Sequence, residues 1–273
     1  MIPIFVDAKR DAMLTYPEID PVIFSIGFLK IRWYGLMYVV GFVLAWWLAR
    51  RRCRRTDSPV TPEQVDDLVF YSMLGVILGG RIGYALFYGT EQLISDPLYL
   101  FRITEGGMSF HGGLAGVLIA MWLYGRRLGH TMWRMTDFVA PLVPLGLGFG
   151  RIGNFINGEL WGKPTDVPWA FLVNGQVLHP TQLYESALNL LNFALLFFVY
   201  KRRRFGGQVF ALYFFNYALI RFFIEFWRGD TFRGFVLRSS SPWTSLSIPQ
   251  LVSLIGLGVG ITLYLRLKKK ATA

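Results

Sequence analysis

The chain has 273 residues, of which 53% are apolar, 17% aromatic and only 16% charged, against roughly a quarter charged in an average soluble domain; that mix excludes disorder and argues against a soluble enzyme. Its formal charge is +11 while its mean hydropathy is +0.41, so the surplus cations decorate an apolar body and no nucleic-acid partner is expected. The single cysteine, Cys53, excludes an internal disulfide or a thiolate metal cluster, and His111, His130 and His179 lack metal-site spacing.

In chain order, the first thirty residues carry Asp7, Asp11, Glu18 and Asp20 and no basic start ahead of an apolar core. They read as an extracytoplasmic arm on the membrane and not as a cleavable signal. Seven apolar runs follow: Trp33 to Ala49, Leu68 to Phe87, Met108 to Tyr124, Phe138 to Phe155, Leu183 to Tyr200, Val209 to Trp227 and Ile248 to Leu265. A helix of about 17 to 25 residues crosses a ~30 Å hydrocarbon layer. Gly112, Gly113, Pro141, Pro144, Gly146, Gly148 and Gly150 mark the third and fourth runs as broken segments.

Sixteen lysines and arginines cluster after the first, third, fifth and seventh runs, against eight on the other side. Short cytoplasmic loops carry the excess, which places the N-terminus outside and the C-terminus in the cytoplasm; the same clusters attract anionic membrane lipids. The expected architecture is one all-α integral-membrane domain over residues 1–273, with seven spans and extracytoplasmic loops near 88–107, 158–182 and 228–247.

Four arginines, Arg32, Arg81, Arg151 and Arg221, lie in or at the edge of these runs. Each would cost about 2.5 to 3.5 kcal/mol at the centre of a membrane helix. Arg32 can snorkel to the interface; the others need partners. In the sixth run Tyr217, Arg221, Glu225 and Arg228 stand at i, i+4, i+8 and i+11, within a ~80° sector of a helix. Glu225 could pair with either arginine, but one carboxylate cannot neutralise both.

At the outer end of the fourth run, Gly150 to Gly162 interleave Arg151, Asn154, Asn157 and Glu159 with glycines. If this segment is helical, Arg151, Asn154 and Asn157 share a face, and the arginine fork suits a phosphate or carboxylate. At the outer end of the third run His111 lies between glycine pairs, a candidate general base. Arg81, Arg151, Arg221 and Arg228 outnumber Glu159 and Glu225 by two. A pocket built from them would await an anion, and in a membrane that anion is a phospholipid phosphate.

The run GRIGNFINGELWG from Gly150 resembles the signature of the prolipoprotein diacylglyceryl transferase family of bacterial inner membranes. Supporting matches are DPVIFSIG, RWYGLMY, LGGRIGY with Arg81, DPLYLFR, GGMSFHGG with His111, HPTQLYE from His179, and the Tyr217–Arg228 stripe. The resemblance implies a seven-helix fold and transfer of the sn-1,2-diacylglyceryl group of phosphatidylglycerol to the lipobox cysteine thiol in a prolipoprotein signal peptide, releasing glycerol 1-phosphate. It implies functional positions at Tyr34, His111, Arg151, Asn154, Glu159, Gly162, Tyr217, Arg221 and Glu225. Arg151 and Arg221 would hold the phosphate and His111 would act on the thiol, without a metal or cofactor.

Two features depart from the family pattern. Ser247-Ile248-Pro249-Gln250 replaces a Ser-Met-Gly-Gln entry to the last helix, so its start is expected to shift, and the loop from Glu159 to His179 is short. Two rival functions are a transporter for an anionic metabolite and an intramembrane serine protease. The odd span count and lack of a repeat oppose the first; Ser109, two residues from His111 and without a Gly-x-Ser-Gly setting, opposes the second. Cys53 sits in a cytoplasmic arginine cluster, on the wrong face for the reaction.

Overall fold

The computed structural model describes residues 14–27, 29–54, 57–102, 106–229, 234–237 and 245–272. Most of them are helical: α1 Trp33–Arg52, α2 Pro62–Phe87, α3 Thr90–Ser95, α4 Phe110–Arg127, α5 Met132–Val139, α6 Val143–Ile156, α7 Thr181–Tyr200, α8 Gln208–Ile224 and α9 Ile248–Thr272. Among the described residues, five helical stretches are long and apolar enough to cross a membrane: Trp33–Arg52, Pro62–Phe87, Met132–Ile156, Thr181–Tyr200 and Ile248–Thr272. The stretch containing Pro141 and Pro144 is interrupted, as its prolines require, by a 3₁₀ turn at Ala140–Leu142. Much of the expected arm and part of the expected 228–247 loop lie outside the described residues.

The loops carry short strands that an all-α expectation omits. These are β1 Leu14–Thr15, β2 Val22–Ile26, β3 Leu29–Arg32, β4 Phe171–Val173, β5 Gln176–Leu178, β6 Phe235–Leu237 and β7 Leu246–Ser247. Hairpin β4–β5 turns on Asn174 (φ 49°) and Gly175 (φ 79°), the pair that suits a two-residue turn with both φ positive, and β1 adds parallel to β4.

The chain separates into two compact units, residues 46–139 and residues 1–45 with 140–273. In the first, α2 and α4 meet through glycines. A Cβ at Gly75 would stand 2.6 Å from the Gly116 carbonyl oxygen, and one at Gly83 2.8 Å from the Gly112 Cα. Spacing small residues four apart lets membrane helices approach backbone to backbone.

In the second unit α6 turns a glycine face to α1. Cβ atoms at Gly153 and Gly150 would fall 3.1 Å from the Tyr34 Cα and 2.8 Å from the Tyr38 ring, and one at Gly41 3.2 Å from the Gly146 Cα. α6 ends where Gly158 takes φ 68°. There the Glu159 N–H reaches the Asn154 carbonyl at 2.9 Å and the Gly158 N–H the Phe155 carbonyl at 3.0 Å, the paired bonds of a left-handed helix stop. The buried face of α7 is polar over its first half, with Thr181, Gln182, Glu185, Ser186, Asn189 and Asn192. The last helix starts at Ile248. Ser247 and Gln250 cap it reciprocally, backbone N–H to side-chain oxygen at 2.9 and 3.3 Å, and Pro249 lies in the first turn, where no amide is needed.

Candidate active site

At the C-terminal end of α6, Arg151 and Asn154 share a helix face as their spacing predicts, with Arg151 Nη1 donating to Asn154 Oδ1 at 3.3 Å. Asn154 Nδ2 donates to Glu159 Oε2 at 3.2 Å and Asn157 Nδ2 to Glu159 Oε1 at 3.1 Å, so the left-handed stop at Gly158 folds the carboxylate back onto both amides. Tyr34, against Gly153, has Tyr38 as hydroxyl neighbour at 3.3 Å. Arg151 and Glu159 both act electrostatically on that hydroxyl.

The centre of the cluster is a residue that spacing alone did not single out. Glu185, one turn into α7, places Oε2 2.7 Å from Arg151 Nε and Oε1 2.6 Å from Arg228 Nη1. It stands in the HPTQLYE run. The signal available was a carboxylate that is the single charged residue of its helix, which demands a cationic partner. Arg228 is 4% exposed and Arg151 27%, so the first is enclosed and the second keeps part of its guanidinium open.

The expected four-residue stripe on one helix is only half realised. α8 carries Tyr217 and Arg221 and stops at Ile224; Glu225 is its C-cap, and Arg228 lies beyond, bridged through the backbone to Gly162. Past the helix end, i to i+3 bonds from Phe226 N–H to Phe223 O at 3.1 Å and from Trp227 N–H to Ile224 O at 3.0 Å tighten the chain, and Lys163 takes the next carbonyls: Nζ donates to Phe226 O at 2.9 Å and the backbone N–H to Trp227 O at 2.8 Å. Of the two pairings open to Glu225, the structure has Arg221 Nη2 to Glu225 Oε2 at 2.8 Å, and Ser247 Oγ donates to the other oxygen at 3.2 Å. Tyr217 is 40% exposed. Gly162 is structural: a Cβ there would meet Trp227 O at 2.6 Å and the Thr181 side chain at 2.7 Å.

Two expected members belong to the 46–139 unit. His111 is exposed in the first turn of α4, which Ser109 caps by accepting from the Gly112 N–H at 3.2 Å. Arg81 corrects the charge count. It is 2% exposed, its guanidinium donating to the carbonyls of Leu100 at 3.1 Å, Gly106 at 2.6 Å and Tyr99, and it lies over the Tyr99 ring. Its donors close a loop. With Arg81 removed and Glu185 and Lys163 added, the cluster holds Arg151, Arg221, Arg228 and Lys163 against Glu159, Glu185 and Glu225, an excess of one positive charge.

The family model described as prolipoprotein diacylglyceryl transferase matches residues 21–266. The chain is 57% identical over 220 residues to the phosphatidylglycerol–prolipoprotein diacylglyceryl transferase of Chromohalobacter salexigens, covering 79% of this chain and 82% of that protein. It is 56% identical over 220 residues to that of Vibrio cholerae, covering 79% and 81%. With the protein so named from Legionella pneumophila it shares 50% over 257 residues, covering 92% and 98%.

Proposed function

The chain belongs to the prolipoprotein diacylglyceryl transferase family, and from that we propose how it works. It transfers the sn-1,2-diacylglyceryl group of phosphatidylglycerol to the lipobox cysteine thiol of a prolipoprotein, forming a thioether and releasing glycerol 1-phosphate. The transporter alternative finds no support among relatives named as transferases.

The thiol of the second substrate has a pKa of about 8.5 and is mostly protonated at neutral pH. A base takes its proton; the thiolate sulfur attacks the glyceryl carbon that carries the phosphate ester, forming C–S as C–O breaks. The electron pair leaves on the phosphate, and the proton passes from the base to solvent. Charge thus grows on a phosphate oxygen, where a preorganised arginine fork in a water-poor site is worth several kcal/mol.

The observation that carries the site assignment is the Glu185 carboxylate with an arginine on each oxygen. Before the lipid binds, Glu185 stands in for the phosphate at Arg151. When the phosphate arrives, Arg151 exchanges partners while Arg228 keeps Glu185 neutralised, so no uncompensated buried charge is created. Arg221, held by Glu225, supplies the second fork. Asn154, Asn157 and Glu159 position Arg151; Tyr217 and Arg228 line the substrate side; Gly162 holds the Arg228 backbone. His111 is the proposed base, with Tyr34 and Glu225 as the other groups able to take that part.

Purified protein with phosphatidylglycerol and a lipobox peptide should give a mass gain of one diacylglyceryl unit and one glycerol phosphate per turnover. A Cys→Ser peptide should stay unmodified, because a serine hydroxyl is the poorer nucleophile at carbon. A serine peptide that gains the same mass would overturn the thiolate mechanism. If His111 is the base, the rate loss in His111→Gln shrinks as pH rises through the thiol pKa, since the thiolate then forms unaided; a pH-independent loss would remove His111 from that role.

We further infer seven crossings. The 18 residues of α4 and 17 of α8 reach the lower end of the ~17–25 range for a spanning helix. They would join the five longer stretches, with the N-terminus periplasmic, the C-terminus cytoplasmic and the site toward the periplasmic side of the bacterial inner membrane. In a Cys53→Ala background, a cysteine replacing Asp96 should react with an impermeant thiol reagent on intact cells, and one replacing Arg203 only after the cells are opened. Labelling of the Arg203 position from outside would sink the orientation.

A further inference from the structure

A groove in the 46–139 unit is lined by none of the residues assigned above. It runs along one face of the α2–α4 pair and holds about 520 Å³. Gly75, Gly79 and Gly116 lie along its floor, where the two helix backbones approach too closely to admit a Cβ. Leu78 and Ile82 wall its apolar end and are exposed. The other end differs: Tyr71, Tyr124 and Arg127 line it. The Tyr124 hydroxyl is fixed by donating to Asp67 Oδ2 at 3.0 Å, and Arg127 is exposed at the last turn of α4 beside Arg126.

Length and charge select the occupant. From Tyr71 to Ile82 on α2, and from Gly116 to Arg127 on α4, the groove covers ~16 Å at 1.5 Å per residue. That is about half of a ~30 Å hydrocarbon core, the depth of one leaflet. A helix from a second copy would need a seam about twice as long, and the glycine faces are already closed on each other within this chain. An acyl chain needs neither. A cation at the mouth of an apolar groove, at headgroup level, favours an anionic headgroup over a zwitterionic one.

We propose that the α2–α4 groove binds one anionic phospholipid as a resident lipid distinct from the donor, its acyl chain on the glycine floor and its phosphate at Arg127. This rests on the membrane-spanning reading of α2 and α4 and not on which leaflet Arg127 faces, so a reversed orientation would leave it standing.

The test uses the full-length protein in vesicles doped with phosphatidylserine or phosphatidylcholine, each carrying a photoactivatable group midway along one acyl chain. Cross-linked peptides are mapped by mass spectrometry and transfer activity is measured in parallel. Phosphatidylserine should label the segments holding Leu78 and Leu123 about fivefold more than phosphatidylcholine, the preference expected for one basic residue at the interface. Arg127→Gln should bring the two lipids to parity, and Ala120→Phe, which fills the groove, should lower labelling by both. Neither change should alter transfer activity, which also reports that each variant is folded. Equal labelling of the unaltered protein by the two lipids would reduce the groove to ordinary lipid-facing surface and overturn the proposal. So would a preference that survives Arg127→Gln, or cross-linking of the groove to a second copy in place of lipid.

Discussion

Arg81 and Arg151 are both arginines in apolar segments, yet the chain holds them by opposite means. Arg81 is closed off at 2% exposure and gives its donors to backbone carbonyls, neutral groups fixed by the loop they belong to. Arg151 remains 27% exposed and leans on Glu185, whose other oxygen already has Arg228. A guanidinium surrounded by carbonyls has no exchange available, because releasing it would strand several buried acceptors at about 1 to 3 kcal/mol each. A guanidinium on a shared carboxylate can change partners, since the carboxylate stays paired. The type of acceptor, more than depth in the membrane, separates an arginine that holds the fold from one that can meet a ligand.

The largest effect expected from this contrast is on catalysis. Arg151→Lys and Arg221→Lys keep the charge but lose the planar fork, and each should lower the transfer rate by about 100-fold or more, the usual cost of removing one charge-stabilising donor. The thermal midpoint should hardly move, and Arg54→Lys should be silent. Full activity in both lysine variants would break the distinction on the catalytic side.

Arg81→Met should do the reverse. With the carbonyls of Tyr99, Leu100 and Gly106 left without their donor, stability should drop by about 3 kcal/mol, read as a lowered midpoint in a chemical or thermal unfolding series. Activity per folded molecule should stay near that of the unaltered chain. If Arg81→Met instead folded normally and lost activity, Arg81 would belong with the anion site, where its charge alone had suggested it.

The sequence made the within-helix part of this picture legible and the between-helix part obscure. Arg151 and Asn154 were recoverable because three residues is a fixed relation on a helix, and the excess of arginines over visible carboxylates signalled an anion site. Arg228 was placed on a stripe whose helix ends four residues earlier, at Ile224; its position is set by a backbone bridge to Gly162, which arrives from a distant loop. Glu185 went unassigned and the carbonyl partners of Arg81 unforeseen for one reason: which buried charge meets which partner depends on how helices pack, and no spacing records it. The β4–β5 hairpin is a different kind of omission. Asn174-Gly175 between the short apolar runs Phe171–Val173 and Val177-Leu178 is a local turn signal, overlooked inside a loop classed only by its position between spans.

The smallest effect concerns the loop over the site and asks whether the fixed half of the contrast extends there. The His179 backbone is stitched to the Gly162–Lys163 segment, its carbonyl accepting from Gly162 N–H at 2.8 Å and its N–H donating to Lys163 O at 3.1 Å. Its Nδ1 lies 3.1 Å from the Tyr184 hydroxyl, which also accepts from Trp169 Nε1 at 2.7 Å. With the Trp169 N–H already donated to that oxygen, the Tyr184 proton is best given to an unprotonated Nδ1. Burial pushes the His179 pKa below its ordinary value, with Asp166 opposing. The unfolded chain therefore binds this proton first. Stability is complete above the unfolded value of about 6.5 and declines as pH falls from there toward the lower folded value. Unfolding midpoints measured between about pH 7.5 and pH 5.5 should fall gently, and His179→Gln should flatten that slope. A slope unchanged in His179→Gln would mean that the backbone stitching alone holds the loop.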